Sequence, residues 1–468
     1  MAYDLLIHGG RVVTPVETIK ADIAIDNGKI LGIGDRKFMT GARRELDVSG
    51  RHVLPGIVDP HAHLGYMNTL EAVETETRAA ACGGVTCLGV YILALKDGIL
   101  KQFDRFKAEF EAKSFVDGFW HLMVIDTLTT NEIRECPEKI GLTSFKFNMG
   151  YKGPHADLIG ITATDDGAVY KGFRMISALG APSLAACHTE NIDIHLMLRD
   201  ELIAQGRKDF RVWNDSRPPF VEAECMRRAI FLAQSANCPL YIPHITISDG
   251  VDILAEAQRQ GINVTGETCP QYLTHNNEEP APIFLSHPAC GCVNPPLRDK
   301  SSNLRLWEGI QRGIIRCVGS DLAPTTLAMK GDNIWEAPMG LGNISELLLP
   351  VMLSEGVNKG RISLEKVVEV CCCNPARVFG VFPRKGNLDI GADADVVVVD
   401  MEKKVRVTPK SLHSMCDWTI YDGWEFTGWP THTILGGNIV VENGQPLPRK
   451  PGQGRYIPRS IHEAQQHA

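Results

Sequence analysis

The chain has 468 residues, of which 44% are hydrophobic and 22% are charged, so it can bury a sizeable core and lacks the composition of a disordered protein. Its 48 Lys and Arg against 56 Asp and Glu give a net charge of −8, and without a basic cluster neither nucleic acid nor an anionic membrane is an expected partner. The sequence carries no secretory leader and no apolar run of about 18 residues, and its 14 cysteines are scattered. We therefore expect a cytoplasmic protein with reduced thiols that acts on a small molecule.

Both ends of the chain show the pattern of short strands joined by tight turns. Residues 1–52 and 380–445 each contain brief apolar runs separated by turn residues. Glycine-containing dipeptides predict turns between these strands: Gly9-Gly10, Asn27-Gly28, Gly436-Gly437 and Asn443-Gly444. We predict that the two segments together form one small β-sandwich.

Between these segments, residues 53–379 alternate β-rich runs with longer helical patterns. Repeated strand–helix units favour a parallel sheet, and over this length they predict a closed (β/α)8 TIM barrel of the α/β class. A doubly wound open sheet has the same local pattern. Residues 446–468 are polar and rich in proline, which predicts an extended C-terminal tail.

A pair of histidines gives the strongest functional indication. The apolar run HVLPGIVDP ends in His61-Ala62-His63. Residues two apart in a strand lie on the same face, so both imidazoles would project together at the carboxyl end of that strand. The sequence therefore predicts a pair of ligands for one metal ion.

Further metal-capable residues follow later apolar runs: His188, His244 and Asp321. A barrel collects its functional groups at the carboxyl ends of its strands, so these residues are expected to meet the first pair. Imidazole nitrogens with one carboxylate favour zinc or a similar divalent ion over calcium or magnesium, which prefer oxygen ligands.

Lys146 lies between Phe145 and Phe147 in TSFKFNMGYKG. A lysine in such a run more often places its ammonium in water while its methylenes pack. At a strand end that faces metal ions, burial and repulsion would instead favour the neutral and reactive amine.

With these residues in place, the chain resembles the cyclic amidohydrolases of the amidohydrolase superfamily, and within them the hydantoinase and dihydropyrimidinase branch. The resemblance extends from residue 55 to residue 444 and agrees with the predicted barrel and sandwich. It is carried by PGIVDPHAHL, GLTSFKFNMGYKG, HTEN, SRPPFVEAE, PHIT, GETCPQYL, NPPLRDK, GSDLAP, NPARVFGVFPRKGNLDIGADADVVVVD and DGWEFTGWPTHTILGGNIVVENG.

The resemblance implies two divalent metal ions, zinc as the first expectation, bridged by Lys146 after its amine has taken up carbon dioxide to become a carbamate. His61, His63 and Asp321 would complete the more buried site, and His188 and His244 the more exposed one. A hydroxide held between the ions would attack the ring carbonyl, with Asp321 moving its proton to the leaving nitrogen.

By the same resemblance, Tyr151 would stabilise the oxyanion and Asn294 would lie where the substrate's amide edge is read. It also implies a homo-oligomer, a tetramer or a dimer.

Four departures from the family pattern leave the substrate open. Leu322 replaces a common histidine, and Met339 stands where relatives place a substrate-contacting asparagine. The loop after His63 and the segment 90–103 also differ. Hydantoin or dihydropyrimidine ring opening is the first expectation. An allantoinase-like or dihydroorotase-like activity is the alternative within the family, and a non-catalytic scaffold is the alternative outside enzymes.

Overall fold

The computed structural model describes residues 2–39, 41–65, 70–94, 97–151 and 165–461. In chain order the first strands are β1 (Tyr3–His8), β2 (Arg11–Val13), β3 (Thr18–Lys20), β4 (Asp22–Asp26), β5 (Lys29–Gly34), β6 (Ala42–Asp47) and β7 (His52–Pro55). The next eight are β8 (Ile57–Ala62), β9 (Val85–Ile92), β10 (Asp117–Met123), β11 (Ser144–Asn148), β12 (Leu184–His188), β13 (Leu240–Ile242), β14 (Val264–Thr268) and β15 (Ile315–Val318). The last are β16 (Val396–Arg406), β17 (Glu425–Leu435), β18 (Asn438–Glu442) and β19 (Gln445–Pro446).

Helices connect these strands and follow them. The first half of the chain contains α1 (Val73–Cys82), α2 (Ile99–Lys113), α3 (Thr127–Glu132), α4 (Cys136–Ile140), α5 (Asp166–Ser177), α6 (Ile192–Ala204), α7 (Val212–Asp215) and α8 (Pro219–Ala236). The second half contains α9 (Ser248–Arg259), α10 (Pro270–Thr274), α11 (Pro282–Ser286), α12 (Lys300–Gln311), α13 (Leu327–Lys330), α14 (Ile344–Val351), α15 (Leu364–Val368) and α16 (Asn374–Val378). Short 3-10 segments lie at Arg36–Phe38, Pro288–Gly291 and Pro409–Ser411, and π-helical turns at Met352–Val357 and Glu369–Cys373.

Strands β8 to β15 form one parallel sheet in which each strand pairs with the next in chain order. Every residue of β8 to β12 is buried, as expected where helices cover the outside of a parallel sheet and side chains fill its inside. The sheet closes at its carboxyl end, where Ala62 forms a parallel bridge with Leu322 and the His63 amide donates to the Leu322 carbonyl at 2.7 Å. The predicted (β/α)8 barrel is confirmed, and the open-sheet alternative is wrong.

Two further sheets lie beside the barrel. One has the strand order β5-β4-β1-β6, and the other the order β19-β18-β17-β16-β7-β2-β3, which joins strands from both ends of the chain. Their inward side chains share a hydrophobic core, with Ile23 and Ile25 from the first sheet and Val53, Val396 and Val398 from the second. The two sheets therefore pack as a sandwich.

Three of the four predicted turns join paired strands. Asn27-Gly28 connects the antiparallel strands β4 and β5, Gly436-Gly437 connects β17 and β18, and Asn443-Gly444 connects β18 and β19. Both residues of the Asn27-Gly28 turn have positive φ, at 49° and 74°, as a primed turn requires. A hairpin at Gly9-Gly10 was a wrong prediction, because β1 and β2 belong to different sheets and the glycines carry the chain between them.

The C-terminal segment differs from an extended polar tail over residues 454–461. Tyr456 bridges to Gly118 at the amino end of β10, and the Tyr456, Ile457 and Arg459 side chains are buried against the barrel. Residues 462–468 lie outside the described part of the chain. Among the helices that the structure describes, none is both long and apolar enough to cross a bilayer.

Candidate metal centre

The six predicted ligands project from the carboxyl ends of the barrel strands. His61 and His63 lie at the end of β8, Lys146 lies in β11, and His188 ends β12. His244 follows β13 by two residues and Asp321 follows β15 by three. One cavity of about 120 Å³ is lined by all six. Residues from five different strands thus converge, as the sequence predicted.

The first pair of histidines meets Asp321. His61 Nε2 lies 3.0 Å from Asp321 Oδ1, and His63 Nε2 lies 3.5 Å from the same oxygen. The second pair is equally close, with His188 Nδ1 3.0 Å from His244 Nε2. His61, His244 and Asp321 each place one ligand atom within 4.8 Å of the other two. The His61–His63 pair and the His188–His244 pair therefore face a common space.

Two buried carboxylates fix which nitrogen each histidine offers. Glu267 Oε1 lies 2.8 Å from His61 Nδ1, and Glu190 Oε2 lies 2.7 Å from His188 Nε2. Because a carboxylate accepts, those nitrogens carry hydrogen, and His61 Nε2 and His188 Nδ1 remain to bind a metal. Glu267 also accepts from the Tyr241 hydroxyl at 2.6 Å and from the His244 amide at 3.1 Å, which holds that carboxylate in place.

The backbone at two ligands is strained. His244 and Asp321 both have positive φ, at 43° and 53°. For residues with a Cβ this region costs of order 1–2 kcal/mol, and it persists only where the surroundings require it. Each residue lies in the short segment after its strand, and each lines the cavity.

The electrostatics of the centre depend on burial and on the two acidic groups. Burial lowers the pKa of Lys146 to about 8, and attraction to Asp321 and Glu267 only partly opposes it. Burial also acts to lower the pKa of His61, but the same two carboxylates outweigh it and raise that pKa to about 9. Burial raises the pKa of Asp321, yet His61 and His63 hold it well below its ordinary value. Positive charge is therefore stabilised beside Asp321 and disfavoured at Lys146.

The donor set fits divalent metal ions. His188 Nδ1 and His244 Nε2 face each other at 3.0 Å although Glu190 already takes the hydrogen of His188. His244 Nδ1 is buried with no hydrogen-bond partner among the residues described. Lys146 is 4% exposed and forms no ion pair with any residue in the described ranges. Four imidazoles, one carboxylate and one unpaired amine form a chemically incomplete group that cations would complete.

The predicted substrate residues line the same cavity. Asn294 Nδ2 donates to the Tyr151 hydroxyl at 3.3 Å and contacts the Met339 sulfur, and the Tyr151 ring lies 5.2 Å from that of His188. Burial raises the pKa of the Tyr151 phenol, which keeps its proton available for donation. The buried Lys330 ammonium donates to the carbonyls of Pro338 at 2.6 Å and Gly340 at 2.9 Å, so the backbone on both sides of Met339 is fixed.

The departures from the family pattern have different structural outcomes. Leu322 is buried, and its backbone closes the barrel beside His63. The other two departures are the loop after His63 and the segment 90–103. Residues 66–69 of the loop and residues 95–96 of the segment lie outside the described part of the chain.

Sequence reasoning missed three groups that surround the ligands. Glu190 stands two residues after His188, and Glu267 lies in GETCPQYL. An acidic residue near a strand end was the sequence feature that could have identified each of them as a partner of a metal ligand. Tyr91 packs its ring 4.6 Å from that of His61 and 5.3 Å from that of His63. Nothing in the local sequence around Tyr91 indicated this position.

Comparison with known proteins agrees with the geometry. The model of the Amidohydrolase family matches residues 285–440. The D-hydantoinase of Geobacillus stearothermophilus is 34% identical over 477 residues, covering 98% of this chain and 97% of the relative. The L-hydantoinase of Paenarthrobacter aurescens is 33% identical over 473 residues, covering 99% of each. The crystal structure of dihydropyrimidinase from Brevibacillus agri superposes with a TM-score of 0.90 at 33% identity, covering 97% of this chain and 98% of that one.

Proposed function

The chain belongs to the cyclic amidohydrolases, in the branch of hydantoinases and dihydropyrimidinases, and from that membership we propose that it hydrolyses a hydantoin or dihydropyrimidine ring to an N-carbamoyl amino acid. The observation that carries this proposal is the convergence of His61, His63, Lys146, His188, His244 and Asp321 on one cavity. A scaffold protein would not need these six groups together.

In this proposal the centre would hold two divalent ions, zinc by preference. Their ligands would be His61, His63, His188, His244, Asp321 and Lys146 carboxylated at its Nζ. Burial without an ion-pair partner and a pKa near 8 leave part of the Lys146 amine neutral at physiological pH, which is the form that reacts with carbon dioxide. When bound, the ions supply a hydroxide nucleophile at neutral pH and polarise the substrate carbonyl. His61 Nε2 and His188 Nδ1 are the ligand atoms that the hydrogen bonds to Glu267 and Glu190 select.

Asp321 is proposed to move the proton. Its carboxyl lies among the ligands and is ionised across the physiological range, so it accepts a proton from the nucleophile and returns it to the leaving ring nitrogen. The Tyr151 hydroxyl keeps its hydrogen and is proposed to donate to the developing oxyanion. Asn294 and Met339 stand beside Tyr151, where they are proposed to contact the substrate ring.

The charge of the described cavity lining favours an uncharged ring. Lys146 is the only Lys or Arg among the described residues that line the cavity, so a substrate carboxylate has no arginine partner there. Arg78 instead donates to the His413 carbonyl at 3.5 Å. These features argue against dihydroorotate, whereas allantoin, which carries no carboxylate, stays the alternative.

A substrate panel tests the proposal. The panel contains D- and L-5-substituted hydantoins, dihydrouracil, allantoin, dihydroorotate and a cyclic imide, with metal content measured on the same preparation after addition of zinc and bicarbonate. We expect about two metal ions per chain and the highest kcat/KM on a hydantoin or dihydropyrimidine. A higher kcat/KM on allantoin would make allantoin the substrate in place of a hydantoin or dihydropyrimidine. A metal-loaded protein that is inactive on all of these rings would overturn the proposed function.

Cellular context follows from the same membership. We propose a cytoplasmic enzyme, in keeping with 14 buried cysteines that form no disulfides. We also propose a homotetramer or dimer, which light scattering on the purified chain measures directly.

A further inference from the structure

A further buried histidine, which is not among the proposed ligands, lies near the metal centre. His121, in β10, stacks on Tyr91 with ring centroids 4.4 Å apart and an interplanar angle of 25°. Its Nδ1 lies 2.7 Å from the Ser144 hydroxyl and its Nε2 lies 3.1 Å from the Pro60 carbonyl. Because a carbonyl can only accept, Nε2 carries the hydrogen. Burial keeps the pKa of His121 low, so the ring is neutral and Nδ1 accepts from the Ser144 hydroxyl, which is closer to it than to the Trp120 carbonyl at 3.3 Å. Both hydrogen bonds of the ring are thus assigned.

The Pro60 carbonyl lies where the strand pairing is irregular. The pairing register of β8 with β9 shifts between Asp59 and Ala62. This stretch contains His61 and ends one residue before His63. His121 reaches this carbonyl from β10 by crossing β9 at Gly89. A Cβ on Gly89 would lie 2.5 Å from the Pro60 oxygen and 2.7 Å from His121 Nε2, so only glycine leaves room for the contact.

The other side of His121 is held by the C-terminal segment. Since the Ser144 hydroxyl donates to His121, it accepts from Arg459 Nη1 at 2.8 Å. Arg459 Nη2 donates to the Trp120 carbonyl. The Arg459 side chain is 1% exposed and forms no ion pair with a carboxylate in the described ranges. Besides its hydrogen bonds to β10 and β11, its guanidinium lies over the Phe119 ring at 5.1 Å. Ser144 stands two residues before Lys146 and therefore on the same inward face.

We propose that His121 is a positioning residue for the metal centre and that Arg459 completes its support. The His121 network comprises the Pro60 carbonyl, Gly89, His121, Ser144 and Arg459. The network fixes the backbone directly before His61 and the strand that carries Lys146. It also places the Tyr91 ring, on which both metal-binding histidines of β8 rest. The inference rests on the proposed function only for the presence of metal.

The test measures metal retention and needs no substrate. Zinc release to a chromogenic chelator and the visible spectrum of the cobalt(II)-substituted protein are recorded for His121→Phe, Gly89→Ala and Arg459→Met. Each variant removes hydrogen bonds of the network without touching a ligand. We expect zinc release to be faster by about 10–100-fold, as for loss of groups that orient metal ligands, together with a changed cobalt spectrum. His121→Gln, which retains a donor for Pro60, should recover part of the retention.

Gln453→Ala is the matched control. Gln453 lies in the same C-terminal segment, and its Nε2 donates to the Phe115 carbonyl at 3.0 Å, outside the network. It should lower the melting temperature without changing zinc release or the cobalt spectrum.

Network variants that lose stability but hold metal as Gln453→Ala does would reduce the network to a structural role. A wild-type chain that retains no metal would overturn both proposals. A wild-type chain that binds metal but opens no ring overturns only the proposed function, because zinc release still decides the role of His121.

Discussion

Two buried lysines of this protein have opposite surroundings. Lys385, 1% exposed, lies between the amino end of the barrel and the segment leading to β16, with its ammonium 2.6 Å from Asp117, 2.6 Å from Asp395 and 3.0 Å from Asp393. Lys146, 4% exposed, has no ion-pair partner among the residues described. Burial acts to lower the pKa of both amines. Three carboxylates outweigh it at Lys385 and raise that pKa, whereas burial prevails at Lys146 and lowers its pKa to about 8.

The contrast separates a lysine held by ion pairs from one that we propose to be reactive. At Lys385 the charged form is stabilised, so the amine holds carboxylates from the barrel and from the β16 segment together and does not react. At Lys146 the neutral form is accessible, and the side chain lines the same cavity as the five other proposed metal ligands. Burial alone therefore does not identify a functional lysine, and the partners of its ammonium do.

Replacing Lys146 should have the largest effect on activity. Lys146→Ala removes the proposed bridging group, so we expect loss of the bound metal pair and a fall in kcat of about 10⁴-fold or more, as for an essential group. Short carboxylic acids should restore part of both, because they can occupy the space of the carbamate. Metal analysis and steady-state kinetics check this, and full activity with normal metal content would contradict the binuclear proposal.

Replacing Lys385 should instead affect stability. Lys385→Met leaves three carboxylates around an apolar group, and breaking a buried ion pair in this way costs about 3–5 kcal/mol. Chemical denaturation measures the loss. Adding Asp395→Asn should recover part of it by removing one unpaired charge. The folded fraction of the Lys385 variant should keep its metal. Loss of metal from that fraction would show that Lys385 also affects the centre that contains Lys146.

Glu267→Gln tests how the metal centre is held. The amide replaces a carboxylate that accepts from His61 Nδ1, the Tyr241 hydroxyl and the His244 amide. We expect metal affinity to fall by about 10–100-fold while the fold is retained. Competition with a chelator of known affinity gives the value, and Glu132→Gln, at a buried carboxylate that accepts from the Ile99 amide at 2.9 Å, serves as a control with unchanged metal affinity.

Glu76 extends the comparison to a carboxylate. Burial raises the pKa of this carboxyl from 4.5 to about 6, even though it accepts from the Ser414 hydroxyl and the Met415 amide. Between these pH values the folded chain binds more protons at Glu76 than the unfolded chain does, so its contribution to stability falls as pH rises through the window. Relative to wild type, Glu76→Gln should gain about 1–2 kcal/mol between pH 4 and pH 7. Chemical denaturation at each pH gives the free energies of unfolding of the two proteins. A difference between them that stays constant from pH 4 to pH 7 would contradict the raised pKa.

Much of the fold could be predicted because its determinants are local. Alternating strands and helices predict the parallel barrel, and Asn27-Gly28, Gly436-Gly437 and Asn443-Gly444 predict the turns that join antiparallel strands. Gly9-Gly10 shows the limit, since a turn residue fixes a change of direction and not the sheet that the next strand joins.

For the metal centre, the sequence by itself determined the donor types and their placement at strand ends, because side-chain chemistry and strand periodicity are properties of short segments. Only the tertiary structure decided which nitrogens remain for a metal and that Lys146 has no carboxylate partner among the described residues, whereas Lys385 has three. His61 and Glu267 are 206 residues apart, and Arg459 lies 315 residues after the Ser144 that it supports. Such contacts arise from closure of the barrel and the return of the C-terminal segment, which no local pattern records.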